Sequence, residues 1–429
     1  MSYSNRVLGG QYDFDRATPK RIELSFKLCD NGRFIQPNSD KQWDEIRSLF
    51  PTTFGMDFAP PFLIIRVRKL PPRPWPLTVA GMAVRLTTKL ETLCFKRGWP
   101  GYARLKALEQ FGDLRHEEFS EEILNEALRL YTEVLKIAIR EIQFWGGALW
   151  QVTVPDGTDK KKLPAWLGKV PVDYRYASEV PRFDPSALRD VVPNDTVFDD
   201  SSYLQSPDRI LRPGIMVSSA NEQHPLTTGT AHRRATSGIM VVDKYGEPFI
   251  TVPSHLVPAV GDEIYHPTPN GGQVIGTAVS HLEKTDISIV KLKPGIRYIN
   301  ETFETPEGFD GTLITGFAPV YNHKVQAGDT ISMNNQYNGF CEGLIMSVGK
   351  LKIENTNPRH NWATTRWLLF ENGDEPKEGS CGSAILTEGG EVVGFFWFQS
   401  KSEEGLCYSI AADELRSFDY EICGGTVTF

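Results

Sequence analysis

Gly379-Ser380-Cys381-Gly382-Ser383 runs straight into the apolar Ala384-Ile385-Leu386. The pattern is Gly-x-nucleophile-Gly-small, leading into a strand. A backbone that turns tightly around an attacking side chain must aim its N–H groups at a developing oxyanion. A Cβ crowds such a turn, so glycine on either side has a physical purpose. With cysteine at the centre, the chemistry is attack by a thiolate. Gly379 and Cys381 are the candidate backbone donors of an oxyanion hole. Ser380 and Ser383 are rival nucleophiles, but Ser380 stands one place early for the frame and Ser383 falls outside it. The plainer reading of Cys381 is a small buried residue on a tight turn.

A thiol nucleophile needs a base, and the base needs an orienting group. Thr251-Val252-Pro253-Ser254-His255 closes the β-branched segment that begins at Glu247, and puts a histidine at its end. Thr285-Asp286-Ile287-Ser288-Ile289-Val290 puts an aspartate at the start of an alternating strand. His255, Asp286 and Cys381 are separated by 31 and 95 residues. His266 and His281 compete with His255, but neither ends a strand with the same lead-in. Asp262 competes with Asp286, yet it is so near His255 that the chain must fold straight back. A loop histidine and a strand-edge aspartate are the bland alternatives.

This order and spacing resemble the chymotrypsin-like proteases over about the last 220 residues. Thr236 to Val242 looks like the first core strand, and Gly405 to Ile410 like the final barrel strand, before a short helix from Ala411 to Phe418. Glu391 to Phe398 looks like the strand that lines the substrate cleft. With cysteine in the nucleophile position, the site is most similar to the chymotrypsin-fold cysteine proteases of picornavirus-like viruses. The resemblance implies a C-terminal all-β double β-barrel and cleavage of peptide bonds by a Cys381-His255-Asp286 triad. It implies a polypeptide substrate lying as an added strand along Phe396, Trp397 and Phe398. Asp374 and Glu375 fall where the family forms the base of its primary pocket, so Glu375 is a candidate contact for a basic side chain. Otherwise that acidic loop is simply solvated.

The departures matter as much. Leu256 stands where trypsin-like enzymes carry a disulfide cysteine, and Trp397 where the family has a serine that buttresses the aspartate. Arg6-Val7-Leu8-Gly9-Gly10 looks like a zymogen activation site but lies 245 residues before His255, too far for that role. Two other functions stay open: a protease-like module that binds peptides without turnover, and an interaction protein centred on the N-terminal region.

The remaining chain must position these residues. At 429 residues with 40% hydrophobic content, two or three domains are expected. A formal net charge of −8 argues against a general nucleic-acid surface. Basic clusters such as Arg66, Arg68, Lys69 and Arg73, or Lys160 to Lys162, read as solvated faces. The six cysteines include no Cys-x-x-Cys pair and no zinc spacing, and neither a Walker-type loop nor a His-Glu-x-x-His motif occurs. No metal or cofactor is expected. Without a secretory leader or an ~18-residue apolar window, the chain is expected to be an intracellular, cytoplasmic protein with reduced thiols and no membrane span. The sequence sets no oligomeric state.

Residues 1–150 read as an α+β domain to which the sequence assigns no role. Arg21 to Leu28, Phe62 to Lys69 and Leu77 to Thr88 are expected strands. Phe119 to Trp145 is the expected longest helix, capped by Ser120 and stopped at Gly146-Gly147, with Ile123, Ala127, Leu130, Tyr131, Val134, Ala138 and Ile142 on one stripe. Residues 151–205 are punctuated by prolines and read as a linker or wrap-around segment. Residues 206–429 form the expected protease domain, able to fold alone.

Overall fold

The computed structural model describes residues 21–30, 33–59, 62–71, 76, 78–88, 120–145, 149–168, 170–180, 210–220, 232–257, 259–269, 272–303, 311–318, 325–353, 362–370, 376–399 and 406–429. The described chain is dominated by strands, with few and short helices.

An eight-stranded sheet takes the order His232–Thr236, Met216–Ala220, Glu263–His266, Gln273–Leu282, Ile287–Leu292, Pro248–Pro253, Met240–Val242 and Glu421–Ile422. Every pairing along it is antiparallel. Its central strands run apolar on both faces for a physical reason. Met240, Ile250, Val252 and Val290 pack into one core, while Val241, Phe249, Ile287 and Ile289 pack into a second. Strands buried on both faces cannot alternate with polar residues.

The second core belongs partly to an eleven-stranded sheet. Gly339–Lys352, Thr330–Asn335, Ala384–Leu386, Glu391–Gln399, Leu406–Ala411 and Trp362–Phe370 pair in that order, and Trp362–Phe370 pairs back to Gly339–Lys352. Six strands thus close a ring, which leaves no edge within it. The eight-stranded sheet is an open path among the described residues.

The long strand Gly339–Lys352 has a second use. Its first half pairs with Thr330–Asn335, and a register shift between Ile345 and Ser347 turns the rest. Residues Val348 to Leu351 then pair with Glu141–Phe144, which leads outward to Trp150–Val154, Val170–Tyr176 and Trp166–Leu167. The expected division after residue 150 falls inside the strand Trp150–Val154, which pairs with Glu141–Phe144. The expected linker from 151 contributes two further strands to the same sheet.

The expected helix from Phe119 to Trp145 is corrected. Ser120 does cap a helix, accepting from the Ile123 N–H at 3.3 Å. That helix is only Glu121–Arg129 and relaxes into a π-turn at Leu130–Val134. Lys136 then adopts φ +53, which ends helical geometry. Glu141–Phe144 is a strand. Ile142 fits a helical stripe and a strand face equally well, and cross-strand pairing decided between them. Arg21 to Leu28 is corrected likewise: only Arg21–Ile22 makes a ladder, although exposure still alternates from Ile22 to Lys27.

A five-stranded sheet completes the N-terminal part, with strands Arg21–Ile22, Thr78–Val79, Met82–Thr87, Phe62–Val67 and Thr53–Ala59. Leu63, Ile65 and Val67 pack with Ile46 of the helix Asp40–Leu49. Phe62 and Ile64, on the alternate face, pack with Trp145 and Trp367 of the second core. Among the described residues no helix is long and apolar enough to cross a membrane, and no cluster could hold a metal ion.

Candidate active site

Pro248–Pro253 and Ile287–Leu292 are neighbours, with Pro253 opposite Ile287. His255 sits in the short 3-10 turn Ser254–Leu256 just past the first strand, and Asp286 just before the second. Antiparallel pairing therefore brings both to the same end of the sheet, where the Ser254 N–H donates to the Asp286 carbonyl at 3.0 Å. One Asp286 carboxylate oxygen accepts from the His255 backbone N–H at 3.0 Å. The other lies 2.5 Å from His255 Nδ1. Both side chains are largely buried, at 8% and 10% exposure. Burial opposes a charged imidazole, but the Asp286 carboxylate and the hydrogen bonds from Asp286 and Cys381 outweigh it and hold His255 well above its ordinary value.

Cys381 arrives from the ring. Ser383 N–H donates to the Ser380 carbonyl at 3.1 Å, closing a tight turn. Gly382 N–H donates to the Phe396 carbonyl at 2.8 Å, and Phe396 N–H returns to the Ser383 carbonyl at 2.9 Å. Gly379 and Gly382 take φ +96 and +89, a region closed to most side chains. A Cβ on Gly379 would lie 2.3 Å from the Tyr337 ring. The two sheets are stitched together here, because Thr236 donates its N–H to the Cys381 carbonyl at 3.0 Å and its hydroxyl to the Gly379 carbonyl at 2.8 Å. Among the described residues, the N–H groups of Gly379 and Cys381 have no acceptor. Asp286, His255 and Cys381 are thus brought together where the two sheets meet.

The Cys381 thiol donates to the Trp397 carbonyl at 2.9 Å, and its sulfur lies near enough to His255 to help raise the imidazole's pKa. Cys381 is partly exposed, whereas Ser380 and Ser383 are fully buried with their hydroxyls engaged. Ser380 Oγ donates to the Lys377 carbonyl at 2.7 Å and accepts from Asn338 at 2.6 Å. Ser383 Oγ donates to the Ser380 carbonyl at 2.6 Å and accepts from Asn335 at 2.9 Å. Neither serine can reach a substrate from there.

Asn335 and Asn338 were not legible as site residues. Asn338 Oδ1 also accepts from Lys377 N–H at 2.9 Å. Asn335 Oδ1 accepts from the N–H groups of Tyr337 at 2.9 Å and Asn338 at 3.0 Å. Together they brace the nucleophile turn from the neighbouring loop. The only signal in the sequence is the polar run Asn334-Asn335-Gln336-Tyr337-Asn338, which reads as an ordinary turn.

The other candidates separate clearly. His266 Nδ1 binds the Met216 carbonyl at 2.7 Å, and His281 Nδ1 binds Ser288 Oγ at 2.6 Å. Asp262 accepts from Ala259 N–H at 2.9 Å within its own turn. Phe396 and Trp397 are buried in the two cores, and Phe398 is partly exposed. Phe396 offers a substrate neither its buried ring nor its backbone, whose N–H and carbonyl are engaged by Ser383 and Gly382. Glu375 lies outside the described residues. Pro253, Asp286, Gly382 and Trp397 line a small cavity between the sheets. Cys341, Cys381, Cys407 and Cys423 are free thiols.

No family model matches the chain, and no curated protein matches it. Similar solved structures do exist. One is the Nocardiopsis protease, 14% identical, covering 50% of this chain and 99% of that one at a TM-score of 0.34. Another is the chymotrypsin of Cellulomonas bogoriensis, also 14% identical, with coverages of 51% and 99% and a TM-score of 0.34. A third, described as a glutamic acid specific serine protease that uses a histidine triad in substrate binding, is 14% identical, with coverages of 50% and 100% and a TM-score of 0.37. Likeness at this level carries no residue's role over to this chain.

Proposed function

We propose that this chain is a peptidase of the chymotrypsin-like kind that cleaves peptide bonds with Cys381 as nucleophile, His255 as base and Asp286 as orienting residue. The observation that carries the reading is the Asp286–His255 hydrogen bond beside the glycine-framed turn that presents Cys381 at the junction of the two sheets. Sγ attacks the substrate carbonyl carbon as the thiolate, its proton held on His255 as the imidazolium. The carbonyl oxygen becomes an oxyanion between the N–H groups of Gly379 and Cys381. Collapse of that intermediate expels the amine, which receives the proton from His255, and leaves a thioester on Cys381. Water, deprotonated by His255, then releases the acid and restores the thiol.

A peptidyl electrophile added to native protein should label Cys381, and His255→Ala should slow the labelling by at least about a hundredfold. Labelling spread over the free cysteines, or unaffected by His255→Ala, would refute the reading. The contact between the Cys381 thiol and the Trp397 carbonyl favours a second reading. A thiol held by a carbonyl keeps its proton, and such a site would bind a peptide without cleaving it. Tight binding of a peptide amide, with neither turnover of it nor labelling of Cys381 by the peptidyl electrophile, would identify that case.

A further inference from the structure

Glu141 is a buried acid that the mechanism does not use, at 3% exposure. It comes from the strand Glu141–Phe144, which pairs onto the closed ring from outside. A buried carboxyl is costly unless its oxygens are satisfied, and here they are. Oε1 accepts from the Tyr408 hydroxyl, and from Gln143 Nε2 at 3.0 Å. Oε2 accepts from Thr153 Oγ1 at 3.3 Å. Gln143 in turn donates to Thr365 Oγ1 at 3.1 Å and accepts from Ser347 Oγ at 2.9 Å, which locks the added strands to the ring through polar contacts.

Tyr408 carries this anchor toward the site. Its ring stacks on Phe398 with centroids 4.6 Å apart and planes at 21°. It also lies 3.8 Å from the Trp367 ring. Phe398 and Tyr408 are cross-strand partners. Phe398 directly follows Trp397, whose carbonyl accepts from Cys381, and is the partly exposed member of the three aromatics there. A peptide laid beside Cys381 along this strand must pass the Phe398 ring.

We propose that Glu141 is a positioning residue of the substrate site: acting through Tyr408, it fixes the Phe398 ring against which a side chain of the bound peptide packs. The strands at 141–176 are then part of peptide selection, a role that rests on the peptidase reading above. Removing the carboxylate leaves the Tyr408 hydroxyl buried without its acceptor, so the ring shifts and the Phe398 wall moves with it.

The test measures two labelling rates of Cys381 in full-length protein, with a peptidyl electrophile and with iodoacetamide, alongside kcat and KM on a peptide. Glu141→Ala and Tyr408→Phe should each slow the peptidyl label and raise KM roughly tenfold, the factor that goes with about one buried hydrogen bond. Iodoacetamide labelling and kcat should stay within about twofold, because the nucleophile turn is untouched. Glu141→Gln, which keeps an acceptor for Tyr408, should restore most of the loss. Equal slowing of both labels would mean a merely structural role, and no slowing would mean no coupling; either overturns the inference. If Glu141→Ala does not fold, Tyr408→Phe, which loses only a hydroxyl, decides alone. A wild-type protein that takes the peptidyl label no faster than iodoacetamide overturns the peptidase reading and this inference with it. Variants that match a fast wild type overturn only the inference.

Discussion

In the proposed mechanism Cys381 stands between the Trp397 carbonyl, which accepts from its thiol, and His255, which holds the proton when Sγ attacks. Cys381→Ala should cut turnover by at least about a thousandfold, since no other group can form the thioester. Ser380→Ala should cost roughly tenfold in kcat, because Ser380 braces the turn rather than reacting. A dead Ser380→Ala variant beside an active Cys381→Ala one would reverse these roles. The raised His255 value also has a consequence for stability. A group whose folded pKa lies above its unfolded value of about 6.5 stabilises the fold fully below that value, and the stabilisation disappears as pH rises through the folded pKa. The melting-temperature gap between wild type and His255→Gln should be widest near pH 6 and close on the alkaline side. A gap that widens with pH would contradict the Asp286–His255 pairing.

At the scale of elements, the nucleophile turn holds its shape by left-handed glycines and by Asn338. Gly379→Ala puts a methyl into the Tyr337 ring on a backbone of φ +96. It should slow Cys381 acylation roughly a hundredfold, the size expected when an oxyanion donor is misaimed. Asn338→Ala frees Ser380 Oγ and Lys377 N–H together. It should lower kcat roughly tenfold or more at nearly constant KM, and steady-state kinetics on one peptide separate the two. Gly349 has a different task. A Cβ there would fall 2.3 Å from the Ile142 carbonyl and the Gln143 side chain. Gly349→Ala should force the added strand away and cost about 1–3 kcal/mol in chemical denaturation.

Over the whole molecule, the unit that carries the site is larger than the region of resemblance. Truncation near residue 205 removes Glu141–Phe144 and Trp150–Val154, and with them the partners of Val348 to Leu351. It also strips Ile142, Phe144 and Trp150 from the core they share with Ile345 and Phe396. An open, apolar strand edge invites association. A chain starting at 205 should aggregate or elute as oligomers in size-exclusion chromatography. The full-length chain, which keeps both these strands and the cover that Phe62 and Ile64 give the second core, should stay soluble and label at Cys381. A soluble, reactive chain from 205 would show that the added strands are dispensable.

The residues that the proposal uses could be singled out in the sequence because each depends on local backbone. Only glycine suits the left-handed positions around Cys381, and His255 and Asp286 sit where strands stop, which turn residues and β-branched runs reveal. The long central strands were legible for the same reason. What lay beyond the sequence depends on pairing between segments far apart in the chain. Ile139 to Trp145 satisfies a helical and an extended period alike, and only the half of Gly339–Lys352 past its bulge makes it a strand. Asn338 and Glu141 look like ordinary turn and surface residues until the fold buries them. Their roles come from hydrogen bonds to Ser380 and Tyr408, partners 42 and 267 residues away. Burial turns those contacts from replaceable by water into obligatory ones, and burial belongs to the tertiary structure alone.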